Sequence, residues 1–138
     1  MAKLYKFEVV TPSRVFYSDE VELIVFETEK VQMGVMAGHI PMLIANTMGT
    51  LKIKTGKETK YAFISEGFIE ISSKKVTAIV DLAEWCDEID LDQAKFTKKT
   101  AEEELSNPNT DKGMKLELKA SIERSNARIK TAGMMNRH

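Results

Sequence analysis

A chain of 138 residues with 43% hydrophobic and 30% charged side chains has the make-up of one globular protein of ordinary size, with enough apolar mass for a real core. Its formal charge of −1 removes the basic surplus that a nucleic-acid partner would call for. No apolar run of about 18 residues offers a membrane-spanning helix, the start Met1-Ala2-Lys3-Leu4 lacks the apolar core of a secretory signal, and the lone Cys86 excludes an intrachain disulfide or a cysteine-cluster metal site and points to an intracellular setting.

Up to about residue 87 the chain reads as short strands and turns. Tyr5–Val10 runs into the breaker Thr11-Pro12-Ser13, and Val15-Phe16-Tyr17 and Val21–Phe26 follow as further strands. The stretch Gln32–Leu43 is then dense in glycine, proline and methionine and predicts a loop shaped for contact. Gly34 and Gly38 suggest positions with positive φ or no room for a side chain, and Pro41 biases Ile40 toward an extended backbone. Leu51–Lys54 alternates and predicts a half-exposed strand, joined by Thr55-Gly56-Lys57 to Tyr61–Ile64. After the turn Glu66-Gly67, Phe68–Ile71 and Val76–Val80 pair across Ser72–Lys75. Nine or so strands of this length at short spacing predict a small β-sandwich.

The character changes near Trp85-Cys86-Asp87. From Glu88 to His138, 19 of 51 residues are charged, and alanine, lysine, glutamate and leucine replace the β-branched runs. Asp90 or Asp92 can cap a helix with Leu91, Ala94, Ala101 and Leu105 on its inner stripe, ended by the breaker cluster Ser106–Thr110. A second helix is predicted from Asp111 to Ala132, with Gly133 as its stop and Met114, Leu118, Ile122, Ile129 and Ala132 as packing positions. The first helix carries three lysines against five acids, and the chain from Asp111 onward carries seven basic residues against three acids. An antiparallel pair is therefore electrostatically favourable, yet its thin, alanine-rich stripe makes it marginal unless something else holds it. The division expected is residues 1–87 and residues 88–138.

Little in the chain suits catalysis. His39 could serve as a base with Ser65 or Asp81, but no spacing supports that, and a lone histidine in a Gly-Pro loop is more often structural or interfacial. His138 stands at the last position and is expected to be disordered. Two histidines ninety-nine positions apart and one cysteine are no recognisable metal set, and no glycine-rich phosphate loop is present. Arg124 and Arg128 share one face of the second helix, as a solvated basic face or as an anion site. Met33, Met36, Met42 and Met48 are core filling, or an adaptable contact surface if exposed. A stand-alone β-sandwich binding module with a helical tail is the alternative from another class, and it calls for an exposed aromatic platform.

The order of motifs resembles one family, the epsilon subunit of F-type ATP synthases, called delta in mitochondria. The likeness runs from about Tyr5 to Ala132: Val9-Val10-Thr11-Pro12, then Gly34-Val35-Met36-Ala37-Gly38-His39-Ile40-Pro41-Met42-Leu43, which is similar to the family signature G-x-L-P-G-H-x-P-L-L, then Ser65–Ile71, Val76–Val80 and Ile89-Asp90. It implies an α+β fold, a flattened β-sandwich of about ten strands followed by an antiparallel two-helix hairpin. It also implies a non-catalytic rotor subunit of a proton-translocating synthase. Such a subunit grips the gamma subunit, rests on the c-ring, and couples proton flow to ATP synthesis as a peripheral membrane protein on the cytoplasmic face of the bacterial membrane. The helices would inhibit ATP hydrolysis through Lys112, Lys115, Lys119, Arg124, Arg128 and Lys130, facing the alpha and beta subunits. Gln32, Gly38, His39 and Pro41 are the implied c-ring and rotor contacts, although Gln32 stands where the family often has an acid and Ala37 where it has proline.

Some bacterial members of that family bind ATP through an I/L-D-x-x-R-A motif and two downstream arginines. Glu84, Ile89, Asp90, Ala94, Arg124 and Arg128 match this pattern, but Gln93 replaces the motif's arginine. One lost charge-assisted bond costs about 1.5–3 kcal/mol, or roughly ten- to a hundredfold in affinity. The resemblance therefore implies weak regulatory ATP binding and no required cofactor.

Overall fold

The structure is a computed structural model and describes residues 3–135; His138, and the disorder expected there, lie outside them. The elements are β1 (Tyr5–Val10), β2 (Val15–Val21), β3 (Leu23–Glu27), β4 (Gln32–Met36), β5 (Met42–Asn46), β6 (Gly49–Thr55), β7 (Glu58–Ile64), β8 (Gly67–Ile71), β9 (Lys75–Val80), β10 (Ala83–Trp85), α1 (Leu91–Leu105) and α2 (Lys112–Ala132). The strands form two five-stranded sheets. Sheet A has the order β2-β1-β9-β8-β5 and sheet B the order β10-β7-β6-β3-β4. This is the sandwich and helical pair that the motifs implied.

Period-two alternation decides which side chains enter the core. In β8, Ile69 and Ile71 are buried whereas Phe68 and Glu70 are exposed. Phe7, Val9 and Ile69 of sheet A meet Ile24, Phe26 and Leu51 of sheet B in one cluster, all without solvent exposure. Full burial stabilises by about 1.5–3 kcal/mol for each such side chain. At one open side of the sandwich, Phe16 of β2 stacks on Trp85 of β10 with ring centroids 4.5 Å apart. Across the sheets, the Tyr5 hydroxyl donates to the Val35 carbonyl at 2.6 Å. Burial pushes the Tyr5 phenol far above its ordinary value, so the donor keeps its proton well into the alkaline range.

Two expectations about strands are corrected. Val21–Phe26 is not one strand, because the chain leaves sheet A after Val21 and enters sheet B at Leu23, with the Glu22 amide donating to the Lys54 carbonyl at 2.9 Å. Gln32–Leu43 is not one loop: β4 occupies its first half, only residues 37–41 form the turn, and β5 begins at Met42. Gly34 lies within β4 without a positive φ, and a Cβ there would meet its nearest neighbour, Leu23 Cδ1, at an ordinary 3.6 Å. Gly38 is different, with φ +90° and open space around it. Gly38→Ala should therefore cost about 1–2 kcal/mol through backbone strain alone, read as a lower urea midpoint with an unchanged slope.

Both helices start where the caps predict. The Asp90 side chain accepts from the Gln93 amide, that of Asp111 accepts from the Met114 amide, and Gly133 closes α2. Ala94 and Ala101 of α1 and Leu118 and Ser125 of α2 are buried, each pair seven residues apart and so on one helix face. Leu91 and Met114, expected inside, are exposed. The inter-helix seam is even thinner than the sequence stripe suggested.

Candidate functional site

The outer face of sheet A carries an apolar row that crosses all five strands. Val15, Val10, Ile79, Phe68 and Ala45 are successive cross-strand partners in β2, β1, β9, β8 and β5. Partners in register share a face, and Val15 (57%), Ile79 (48%) and Phe68 (52%) are too exposed to belong to any core of this chain. Val10, Pro12, Ala45, Phe68 and Ile79 line a groove of about 640 Å³ on that face. The adjoining row, Glu8, Thr77, Glu70 and Leu43, is polar except at its edge, where Leu43 is exposed. A contiguous apolar band with a polar border is suited to a protein partner and offers nothing for bond chemistry.

The four residues expected at a rotor interface do not form one cluster. Gly38, His39 and Pro41 share the turn between β4 and β5, next to exposed Ile40, Met36 and Met42. Gln32 stands at the opposite end of β4, about 13 Å of strand away, with its amide donating to Glu27 Oε1 at 2.9 Å. Of the four methionines singled out, Met36 and Met42 are exposed, Met33 packs on the core and Met48 is half-buried.

The imagined catalytic set is pulled apart. Ser65 lies beyond the far end of β5 from His39, and its Oγ accepts from the Asp81 and Leu82 amides at 3.1 and 3.0 Å. At least four strand residues, about 13 Å, separate the histidine from both partners. Among the described residues, no group of three or more His, Cys, Asp or Glu side chains could hold a metal ion.

α2 lies on β6 and β7 of sheet B as well as on α1. Arg128 reaches Glu84 with both arms of its guanidinium, Nε to Oε1 at 2.7 Å and Nη2 to Oε2 at 3.0 Å, and Gln93 Oε1 sits 3.5 Å from Nη2. Ile89 and Ala94 are buried, and Asp90 is engaged as the α1 cap. Arg124 is exposed and makes no ion pair among the described residues. The structure thus gathers Glu84, Gln93 and Arg128 and leaves Arg124 in solvent. Lys112, Lys119 and Lys130 are exposed and Lys115 is half-exposed, so the basic face of α2 is in solvent apart from Arg128.

Sequence reasoning missed the apolar row and Phe63, Thr50 and Thr131. One signal could have found part of the row: Gly67-Phe68-Ile69 puts a large apolar residue on the outward phase of β8, where alternation calls for a polar one. Thr131 gave no such sign.

Residues 4–86 match the family described as the ATP synthase, Delta/Epsilon chain, beta-sandwich domain. The chain is 39% identical over 126 residues to the ATP synthase epsilon chain of Staphylococcus aureus, covering 91% of this chain and 93% of that one. A chain in the Euglena gracilis mitochondrial ATP synthase structure (OSCP/F1/c-ring) aligns with a TM-score of 0.80 at 20% identity, over 90% of this chain and 78% of that one. A chain in the Tetrahymena thermophila mitochondrial ATP synthase central stalk/c-ring structure aligns at 0.71 and 16% identity, over 95% and 98%. At such identities the two structures speak to the fold.

Proposed function

The chain belongs to the ATP synthase delta/epsilon family, whose members are subunits of a multi-subunit enzyme rather than its catalytic subunit, and from that premise we propose that it works in the rotor of the synthase as the piece joining the gamma subunit to the c-ring. The observation that carries this reading is the apolar row across sheet A. It crosses five strands, it stays exposed because α1 and α2 pack on each other and on sheet B among the described residues, and its width suits a protein surface more than a small ligand. The gamma subunit is the partner proposed for that face and its groove. The exposed turn with Gly38, His39 and Pro41, at the other end of β5 from the groove, and Gln32, at the far end of β4, are two separate contacts proposed for the c-ring and rotor.

Residues 1–87 carry assembly in this reading and residues 88–138 carry regulation. The basic face of α2, with Lys112, Lys115, Lys119, Arg124 and Lys130, meets acidic segments of the alpha and beta subunits and restrains ATP hydrolysis. The complex holds the chain at the cytoplasmic face of the bacterial membrane, and no helix among the described residues is long and apolar enough to cross it. ATP acts at most as a weak regulatory ligand and no cofactor is required.

The experiment is co-expression with the gamma subunit followed by purification on a tag carried by gamma. The chain is expected to elute with gamma at a fixed ratio; a chain that washes away would sink the assignment. A stand-alone binding module would call for an aromatic platform on the sandwich. Trp85 instead packs on Phe16 and Tyr17, with the Lys60 ammonium over the Trp85 and Tyr17 rings. Among the described residues of the sandwich Phe68 is the one ring that is largely exposed; Phe96, also exposed, stands on α1.

A further inference from the structure

The outer face of sheet B carries a second row of register partners, Glu84 of β10, Phe63 of β7 and Thr50 of β6. Phe63 is wholly buried yet stands outside the sandwich core. It points away from that core, and α2, which packs on β6 and β7, covers it. Two side chains of α2, three residues apart and so on one face, grip the row on either side of the ring. Arg128 makes its forked pair with Glu84, at side-chain exposures of only 14% and 20%. Thr131, without solvent exposure, has its Oγ1 2.7 Å from Thr50 Oγ1. The Thr131 hydroxyl already donates to the Ala127 carbonyl at 2.9 Å, so Thr50 is the donor in the hydroxyl pair.

This seat ties α2 to the sandwich. Apart from Thr131, the buried side chains of the two helices are two alanines, a leucine and a serine, which bury little surface. The forked ion pair excludes most water and also touches Gln93 of α1, so one guanidinium joins β10, α1 and α2. We propose that this chain clasps its hairpin to the sandwich with no ligand, through Glu84, Phe63 and Thr50, and that the Arg128–Glu84 pair is the release point. Any anion or acidic segment that takes Arg128 takes it from Glu84 and loosens the hairpin. Lifting the helices uncovers Phe63, which makes release cooperative, because the ring loses its cover only when both grips are gone.

The clasp is a property of the isolated chain and does not depend on the rotor assignment, so it is tested on the full chain alone by hydrogen–deuterium exchange without nucleotide. The parent is expected to protect α2 and the β7 peptide containing Phe63. Glu84→Gln should speed exchange in both by about tenfold, the loss of one charge-assisted bond, and leave β1, β8 and β9 unchanged. Glu84→Arg combined with Arg128→Glu should return protection toward the parent. Exchange in Glu84→Gln indistinguishable from the parent would overturn the clasp, and so would a charge-swapped chain that keeps β8 protected but not α2. ATP at millimolar concentration should leave α2 exchange in the parent unchanged or faster. Marked slowing would overturn ligand-free docking.

Discussion

Phe68→Asp combined with Ile79→Lys is expected to weaken binding to the gamma subunit by about a hundredfold or more, and to shift the melting of the isolated chain by only a few degrees. Phe68 and Ile79 are direct partners across β8 and β9 at the centre of the apolar row, and both are about half exposed. Hot-spot side chains in a desolvated interface contribute about 2 kcal/mol or more each on truncation, and a tenfold change is about 1.4 kcal/mol. Taking the new charges out of water against gamma adds to the loss, whereas in the free chain the carboxylate and ammonium face each other across the strands in solvent and the core is untouched. Titration of each chain against purified gamma measures it. Equal affinities for parent and variant would move the gamma contact to another face.

Gly67→Ala should lower the melting temperature by roughly 10 °C, from a loss on the order of 3 kcal/mol. A Cβ at Gly67 would stand 2.1 Å from the Ile79 carbonyl oxygen and 3.0 Å from Val80 Cγ1. The first of these is backbone in the neighbouring strand, held by its own pairing to β1, and cannot swing aside. Either β8 and β9 separate at Gly67 and Val80 or the row above them shifts. Circular dichroism against temperature reads the effect, and an unchanged melting temperature would mean that the two strands part more readily than their register suggests.

How much of this was legible depends on how far apart in the chain each feature is assembled. β8 and β9 stood out because alternation and the polar turn Ser72–Lys75 lie within one short window. The helix starts stood out because a cap is local: Asp90 and Asp111 each hold an amide three residues on. β10 was hidden because three residues are too few for a period, and its place comes from pairing with β7. Gln32–Met36 read as loop because its glycine and methionines carry weak strand preference, and pairing with β3 overrides it. The candidate site was harder still. Each strand supplies one residue to the row on sheet A, so no window contains it, and Arg128 and Glu84 are 44 positions apart. The motifs put Glu84 and Arg128 in one group, but only the fold shows that these two already hold each other.

The parallel pairing of β1 with β9 sets the order in which the molecule can be made. Register partners Lys6 and Lys75 are 69 positions apart, so after β2 has paired with β1 the other edge of β1 stays open until β9 leaves the ribosome. Phe7 and Val9 must wait in water, or in transient contacts, while four of the five strands of sheet B, β3, β4, β6 and β7, are synthesised between the two strands. Closing so long a loop late makes folding slow for a chain of this size. The nascent chain should therefore gain protease resistance abruptly, once residue 80 is clear of the exit tunnel, and not in steps as each hairpin appears.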